Sequence, residues 1–262
     1  MDAIVTAGGL LLPKDPLYHL TQVDKKALIP LLGRPMISWV LDAICGSGMV
    51  EHIAVVGLSP QELAYPDKRV YFVDSVGSLI GNVFAGLGKL QELNPTVKKI
   101  LILSSDIPLI TPEIIRDFVE ACGPQDGDIY YAVVEEKTME GRFPDSKRTF
   151  VPFKGGRYSG GDVFLVDVVV ATGNIALAQA LTGSRKNYLK QAQLIGFDFI
   201  VRFLLRRMTV HDAAKRAGKK AKLDVRVVDT RFAELGMDLD KARHYEIIKG
   251  YLESGEAQTI HR

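Results

Sequence analysis

Four stretches of this chain bring together residue types that handle phosphate groups and divalent metals. Ile4-Val5-Thr6-Ala7-Gly8-Gly9 is a short apolar run that breaks into paired glycines. Glycine tolerates positive φ and lets the backbone come close to a ligand, and successive N–H groups form an anion-binding concavity. A plain tight turn is the competing reading. Lys26, next to Lys25 and ahead of Gly33-Arg34-Pro35-Met36, is a compact point charge suited to phosphate oxygens. The plainer alternative is a solvated surface lysine. Asp106 sits in Leu103-Ser104-Ser105-Asp106-Ile107-Pro108-Leu109-Ile110, just past the carboxyl end of an apolar run. In open α/β sheets ligands bind at that edge. A carboxylate there can hold Mg²⁺, a hard ion satisfied by one or two carboxylates with phosphates and water. Gly236-Met237-Asp238-Leu239-Asp240 adds two more acids, one suited to a second metal ligand and the other to capping the helix that follows.

Two look-alikes drop out. No G-x-x-x-x-G-K-[ST] run is present, so the glycine pair is not a Walker A loop. Gly46-Ser47-Gly48 ends a helical pattern, whereas a dinucleotide fingerprint follows a strand and opens a helix.

Positioning such groups needs a sheet with a common edge, and the pattern predicts one. Ala3–Thr6, Ile53–Val56, Val70–Val73 and Ile100–Leu103 are apolar runs without alternation, as expected of parallel strands covered on both faces. Between the first two, Pro35 at a first helical position and Ile37, Val40, Leu41 and Ile44 at helical spacing predict a helix ending at Gly46 and Gly48. A second helix is expected over Ser78–Leu93, with Leu79, Val83, Leu87 and Leu90 on one side. Thr111-Pro112-Glu113 opens a third, to about Ala121. Alternation of this kind implies a mostly parallel sheet with helices on both faces. The organisation changes near residue 125. Ile129–Val134 and Val163–Val166 are strand-like and flank a polar stretch, Glu135–Tyr158, read as a long loop or hairpin over a site. Residues 174–222 are helical in pattern, with a capping box at Thr209 and Asp212. A late strand at Asp224–Asp229 and a closing helix at Asp240–Leu252 follow. The expectation is one domain over residues 1–252, with a nucleotide-binding half at about 1–125 and an acceptor half at 126–252. Residues 253–262 form a polar tail.

Composition narrows the class. The chain has 262 residues, 47% hydrophobic, enough for a sizeable core, and its net charge of +2 argues against a nucleic-acid partner. Cys45 and Cys122 are too few for a thiolate zinc site and read as free cytosolic thiols. No basic leader precedes the first strand, and no apolar run reaches the ~20 residues of a spanning helix. A cytoplasmic protein is expected. Arg202, Arg206, Arg207, Lys215, Arg216, Lys219, Lys220 and Lys222, interleaved with Phe199, Phe203, Leu204 and Leu205, read as a solvated helix face. An anionic membrane surface is the sharper alternative.

Set in order, these residues carry a resemblance. Ile4–Gly9, then Lys26-Ala27-Leu28-Ile29-Pro30-Leu31 and Gly33-Arg34-Pro35-Met36, resembles the opening of the nucleotidyltransferase superfamily, which includes the molybdenum-cofactor guanylyl- and cytidylyltransferases. The resemblance implies a Rossmann-like fold of the nucleotide-diphospho-sugar transferase type, with a helical elaboration in the second half. It implies Ala7, Gly8, Gly9, Lys26, Gly77 and Asn82 on the nucleotide, and Lys26 and Asp106 as catalytic groups. Mg²⁺ would sit on Asp106 and Asp240, with Asp238 beside them. Tyr158-Ser159-Gly160-Gly161-Asp162 is similar to a glycine–polar turn that contacts the acceptor, which puts Gly161 and Asp162 there. Many members carry an arginine in the first loop. Here Leu10-Leu11-Leu12-Pro13-Lys14 takes its place, and Lys14 is the cation that stands in for it. The implied reaction moves a nucleotidyl group from an NTP to a phosphorylated small molecule. A nucleotide-binding protein without turnover and a sugar-nucleotide-dependent glycosyltransferase are the alternatives.

Overall fold

The computed structural model describes residues 1–173 and 208–255. Strand β1 (Asp2–Thr6) leads into a loop, a short helix α1 (Pro16–Thr21) and a hairpin of β2 (Pro30–Leu31) and β3 (Arg34–Pro35). Helix α2 (Met36–Ser47), β4 (Ile53–Val56), β5 (Val70–Val73), α3 (Leu79–Leu93), β6 (Lys99–Ser104) and α4 (Pro112–Ala121) complete the first half. The second half holds β7 (Ile129–Glu135), α5 (Glu136–Arg142), β8 (Val151–Phe153), β9 (Gly156–Asp167), α6 (Val168–Gly173), α7 (Val210–Ala221), β10 (Val225–Thr230) and α8 (Ala242–Glu253).

One sheet runs through both halves in the order β10-β7-β9-β6-β1-β4-β5, with β8 paired to β9. The β6-β1-β4-β5 block is parallel, as is β10 against β7, while β9 lies antiparallel to both β6 and β7. Continuous apolar runs suit this, since both faces are covered. Ala3 and Val5 turn to the side of α2 and α4, packing with Ile37, Leu41, Ile114 and Phe118. Ile4, between them, turns to the α3 side with Leu87 and Leu90. That is the two-residue period of a strand.

Register sets the working edge. Thr6 pairs with Val56 on one side and Ser104 on the other, so Ala7-Gly8, Gly57 and Ser105-Asp106 leave the sheet at one level. Leu103 pairs with Val163 of β9, which brings Asp162 to the same edge.

Several expectations need correction. Pro35 caps α2 from outside, because its partner in the β2–β3 hairpin holds it extended. Leu79 at the start of α3 is 43% exposed and sits off the buried side. Of the two readings of the polar stretch 135–158, the structure has the hairpin, β8 with β9, and adds the helix α5 ahead of it. The glycine–polar segment is mid-strand, within a β9 of twelve residues where only Val163–Val166 was expected. Thr209 and Asp212 form the expected capping box on α7. The helical pattern over 174–207, with Phe199 through Arg207, lies outside the described residues.

Candidate active site at the sheet edge

The loops after β1 and β4 touch backbone to backbone. Gly57 has φ +107, and a Cβ on it would fall 2.4 Å from the Gly8 Cα. Gly8 is pressed from its other side by Asn82, whose amide nitrogen would lie 2.8 Å from an added Cβ. Asn82 is buried, and its Oδ1 accepts from the Val76 N–H at 2.8 Å and the Ser75 hydroxyl at 3.2 Å. One side chain therefore shapes the 75–77 loop and backs the glycine turn. Ala7 is buried, and Gly77, exposed at φ +80, donates its N–H to Ser75 Oγ. Beyond Gly9 the chain doubles back. Leu10 bridges Lys25, and the Lys26 N–H donates to the Gly9 carbonyl at 2.9 Å. This return delivers Lys26 beside the glycines. Lys14, exposed ahead of α1, stays on the outer part of the loop.

The Lys26 ammonium donates to Asp106 Oδ2 at 2.5 Å and to Asp240 Oδ1. Burial works against its charge, but Asp106 and Asp240 outweigh that, and the ammonium titrates above an ordinary lysine. Asp240 is likewise opposed by burial and held below the usual carboxylate range by Lys26 and Arg148. Asp238 is buried and ion-paired to Arg148. The 238–240 segment is fixed to the sheet edge by the Leu239 N–H, which donates to the Asp106 carbonyl at 2.8 Å. Neither Asp238 nor Asp240 caps α8, because Lys241 occupies the cap position without a side-chain bond. That corrects the expectation of a capping aspartate.

Asp106, Asp238 and Asp240 bring carboxylate oxygens within 4.8 Å of one another. Asp106 Oδ1 is buried with no partner. Asp162 completes the group. Burial, then the charge of Asp106, raises its carboxyl to about 6, with Arg148 opposing. Four carboxylates thus face two cations, Lys26 and Arg148, leaving an excess of two negative charges. An all-oxygen donor set with that excess and an unpartnered oxygen fits a hard divalent cation.

The structure brings together Gly8, Gly9, Lys26, Asp106, Asp162, Asp238 and Asp240. Gly161 is different. Its missing Cβ makes room for Ala132 and the Leu235 carbonyl, so it serves packing away from the acids. Gly160, two residues before Asp162 on the same face of β9, is covered by Tyr131. An added Cβ there would fall 1.7 Å from the Tyr131 hydroxyl, and the ring stacks on Phe164 at 4.6 Å. Sequence reading missed Arg148, Tyr131, Gly57 and His244. The only signal for Arg148 was its place in the polar 135–158 stretch. A separate cavity of about 560 Å³, lined by Arg34, Asp42, Glu62, Tyr65 and Asp67, holds none of these residues; Arg34 pairs with Asp42, Asp67 with Arg69 and Glu62 with Lys25.

A family model described as the MobA-like NTP transferase domain matches residues 20–193. The bifunctional protein GlmU of Halorhodospira halophila is 32% identical over 107 residues, covering 40% of this chain and 22% of that protein. The chain thus spans about a fifth of the length of that curated relative. Among solved structures, a hypothetical transferase from Thermus thermophilus superposes with a TM-score of 0.79 at 30% identity, covering 93% of this chain and 98% of that one. A CMP:2-keto-3-deoxy-manno-octonic acid synthetase complexed with CTP superposes with a TM-score of 0.61 at 12% identity, over 97% and 98% of the two chains. The last likeness establishes the fold alone: a Rossmann-like, mostly parallel sheet flanked by helices.

Proposed function

This chain belongs to the family of MobA-like NTP transferase domains, and on that premise we propose that it transfers a nucleotidyl group from an NTP to a phosphorylated small molecule. An oxygen of the acceptor phosphate attacks the α-phosphorus. The bond from that phosphorus to the β-phosphate oxygen breaks, and pyrophosphate leaves. No protein nucleophile is required, so positioning and charge neutralisation carry the rate.

The observation that carries this reading is the convergence of Lys26 with Asp106 and Asp240, from three distant parts of the chain, beside the Gly8–Gly9 turn. Gly8 and Gly9 would present N–H groups to the donor phosphates, with Asn82 and the 75–77 loop at the nucleoside end. Lys26 would stabilise charge at the α-phosphate. Asp162, Gly160 and Tyr131 line the side where the acceptor would enter, and Arg148 is the cation on that side. Asp106, Asp238 and Asp240 would hold Mg²⁺. When bound, that ion supplies charge neutralisation for the phosphates of donor and acceptor. The reading sets the chain in the cytoplasm, as one domain.

A matrix of four NTPs against candidate acceptor phosphates, with Mg²⁺ and read as pyrophosphate release, tests it. Release that requires both an NTP and an acceptor is the expected result. Its absence in every combination would overturn the reading. One observation favours a second reading, nucleotide binding without turnover. The first loop exposes Leu10 at 65% and Leu12 at 52% where the resemblance would call for an arginine. Tight NTP binding with no pyrophosphate in any combination would select it.

A further inference from the structure

His244 touches none of the working side chains proposed above, but its two ring nitrogens meet the backbone of the two segments that carry them. Nδ1 lies 2.8 Å from the Asp238 carbonyl oxygen, and Nε2 lies 3.0 Å from the Ser146 carbonyl oxygen. The Asp240 N–H points at Nδ1 from 3.4 Å. The tautomer with its proton on Nε2 ties two segments, because the ring then donates to the Ser146 carbonyl and accepts from the Asp240 N–H. With the proton on Nδ1 instead, it donates to the Asp238 carbonyl and has no proton left for Ser146. One segment carries Asp238 and Asp240; the other, two residues past Ser146, carries Arg148.

The mount is rigid. His244 is 2% exposed on α8, whose Ile248, Tyr251 and Leu252 are buried. The same helix grips the start of the 143–148 segment, through Tyr251 against the Phe143 ring at 5.4 Å and Arg243 on Asp145 at 2.5 Å. A buried imidazole is an expensive placement unless both ring nitrogens are hydrogen-bonded.

We infer that His244 is a positioning residue. It holds the segment bearing Arg148 in register with the segment bearing Asp238 and Asp240, so that the acceptor side and the metal side of the site keep one geometry. The inference rests on the proposed function only in taking those three side chains as working groups.

Asparagine in place of His244 can still reach the 238–240 segment, glutamine can still reach Ser146, and phenylalanine keeps only the shape. Backbone hydrogen exchange of the full chain, followed by mass spectrometry without metal, reads the two ties separately. Removing a buried hydrogen bond should speed local exchange by roughly tenfold. H244F is expected to speed both 143–149 and 237–241, H244N only the first, and H244Q only the second. Mn²⁺ binding, measured alone by electron paramagnetic resonance, should weaken in H244F and H244Q and stay near wild type in H244N. Wild-type exchange in both segments of H244F, or identical behaviour of H244N and H244Q, would overturn the inference. Should H244F fail to fold, the asparagine and glutamine pair decides. The exchange result does not depend on turnover, so a silent pyrophosphate assay would sink the function and leave this inference standing. The reverse holds equally.

Discussion

Lys26 and Asp106 set the residue scale. Their ion pair at 2.5 Å sits within the excess of negative charge that the four aspartates create. Loss of one preorganised charge contact typically lowers turnover by ~10²–10³. Asp106→Asn and Lys26→Ala should each reach that range in pyrophosphate release, with folding intact by circular dichroism; near-wild-type turnover in either would contradict the assignment. Asp162 allows a test by pH. Its carboxyl is raised from the ordinary 3.8 to about 6, mainly by burial and then by Asp106. A raised carboxylate stabilises the fold while protonated, and that contribution is lost as pH rises through about 6. Asp162→Asn mimics the protonated form. In EDTA it should therefore raise Tm by a few degrees at pH 8 and change little at pH 4, at roughly 2–4 °C per kcal/mol for a chain of this size. A gain confined to low pH would reverse the sign and refute the argument. Lys26, Asp106 and Asp240 were legible in the sequence because each sits next to a strand end or a turn signal. Arg148 and His244 were not, because their partners are contacts such as Ser146 to His244, 98 residues apart, with no local periodicity.

Elements were legible where burial is two-sided. β4 is apolar throughout and β1 is apolar from Ala3 to Val5, so composition alone reveals them. β9 was cut short because its first half, Gly156 through Asp162, is polar and glycine-rich where it borders the cleft. Pairing with β7 and β8 makes that half a strand, and such pairing is invisible to any local pattern. The junction of β1 and β4 makes the sharpest element-level prediction. Gly57 combines positive φ with a contact that leaves no space for a Cβ above Gly8. Gly57→Ala should cost at least ~1–3 kcal/mol from the backbone conformation alone. It should also displace the Gly8 turn, raising KM for the NTP. Thermal unfolding and steady-state kinetics check the two effects, and an unchanged KM would mean that the turn does not bear on the nucleotide.

At the scale of the whole molecule, the sheet is continuous from β5 to β10, and β9 stitches its two halves along both edges. Such a sheet should unfold in one step. Calorimetric and van't Hoff enthalpies should agree, and transitions followed by far-UV circular dichroism and by Trp39 fluorescence should coincide. Two separated transitions would instead mark the halves as independent domains. The tie between Lys26 and Asp240 spans 214 positions of the chain. During synthesis the glycine turn and Lys26 emerge first, and Asp240 follows after roughly ten to forty seconds of elongation at ~5–20 residues per second. Throughout that interval the growing polypeptide has its phosphate cradle but not its last acids. On the proposed chemistry, a ribosome-bound or prematurely terminated copy should leave the cell's NTP pool untouched until Asp240 has been added and folded onto Lys26.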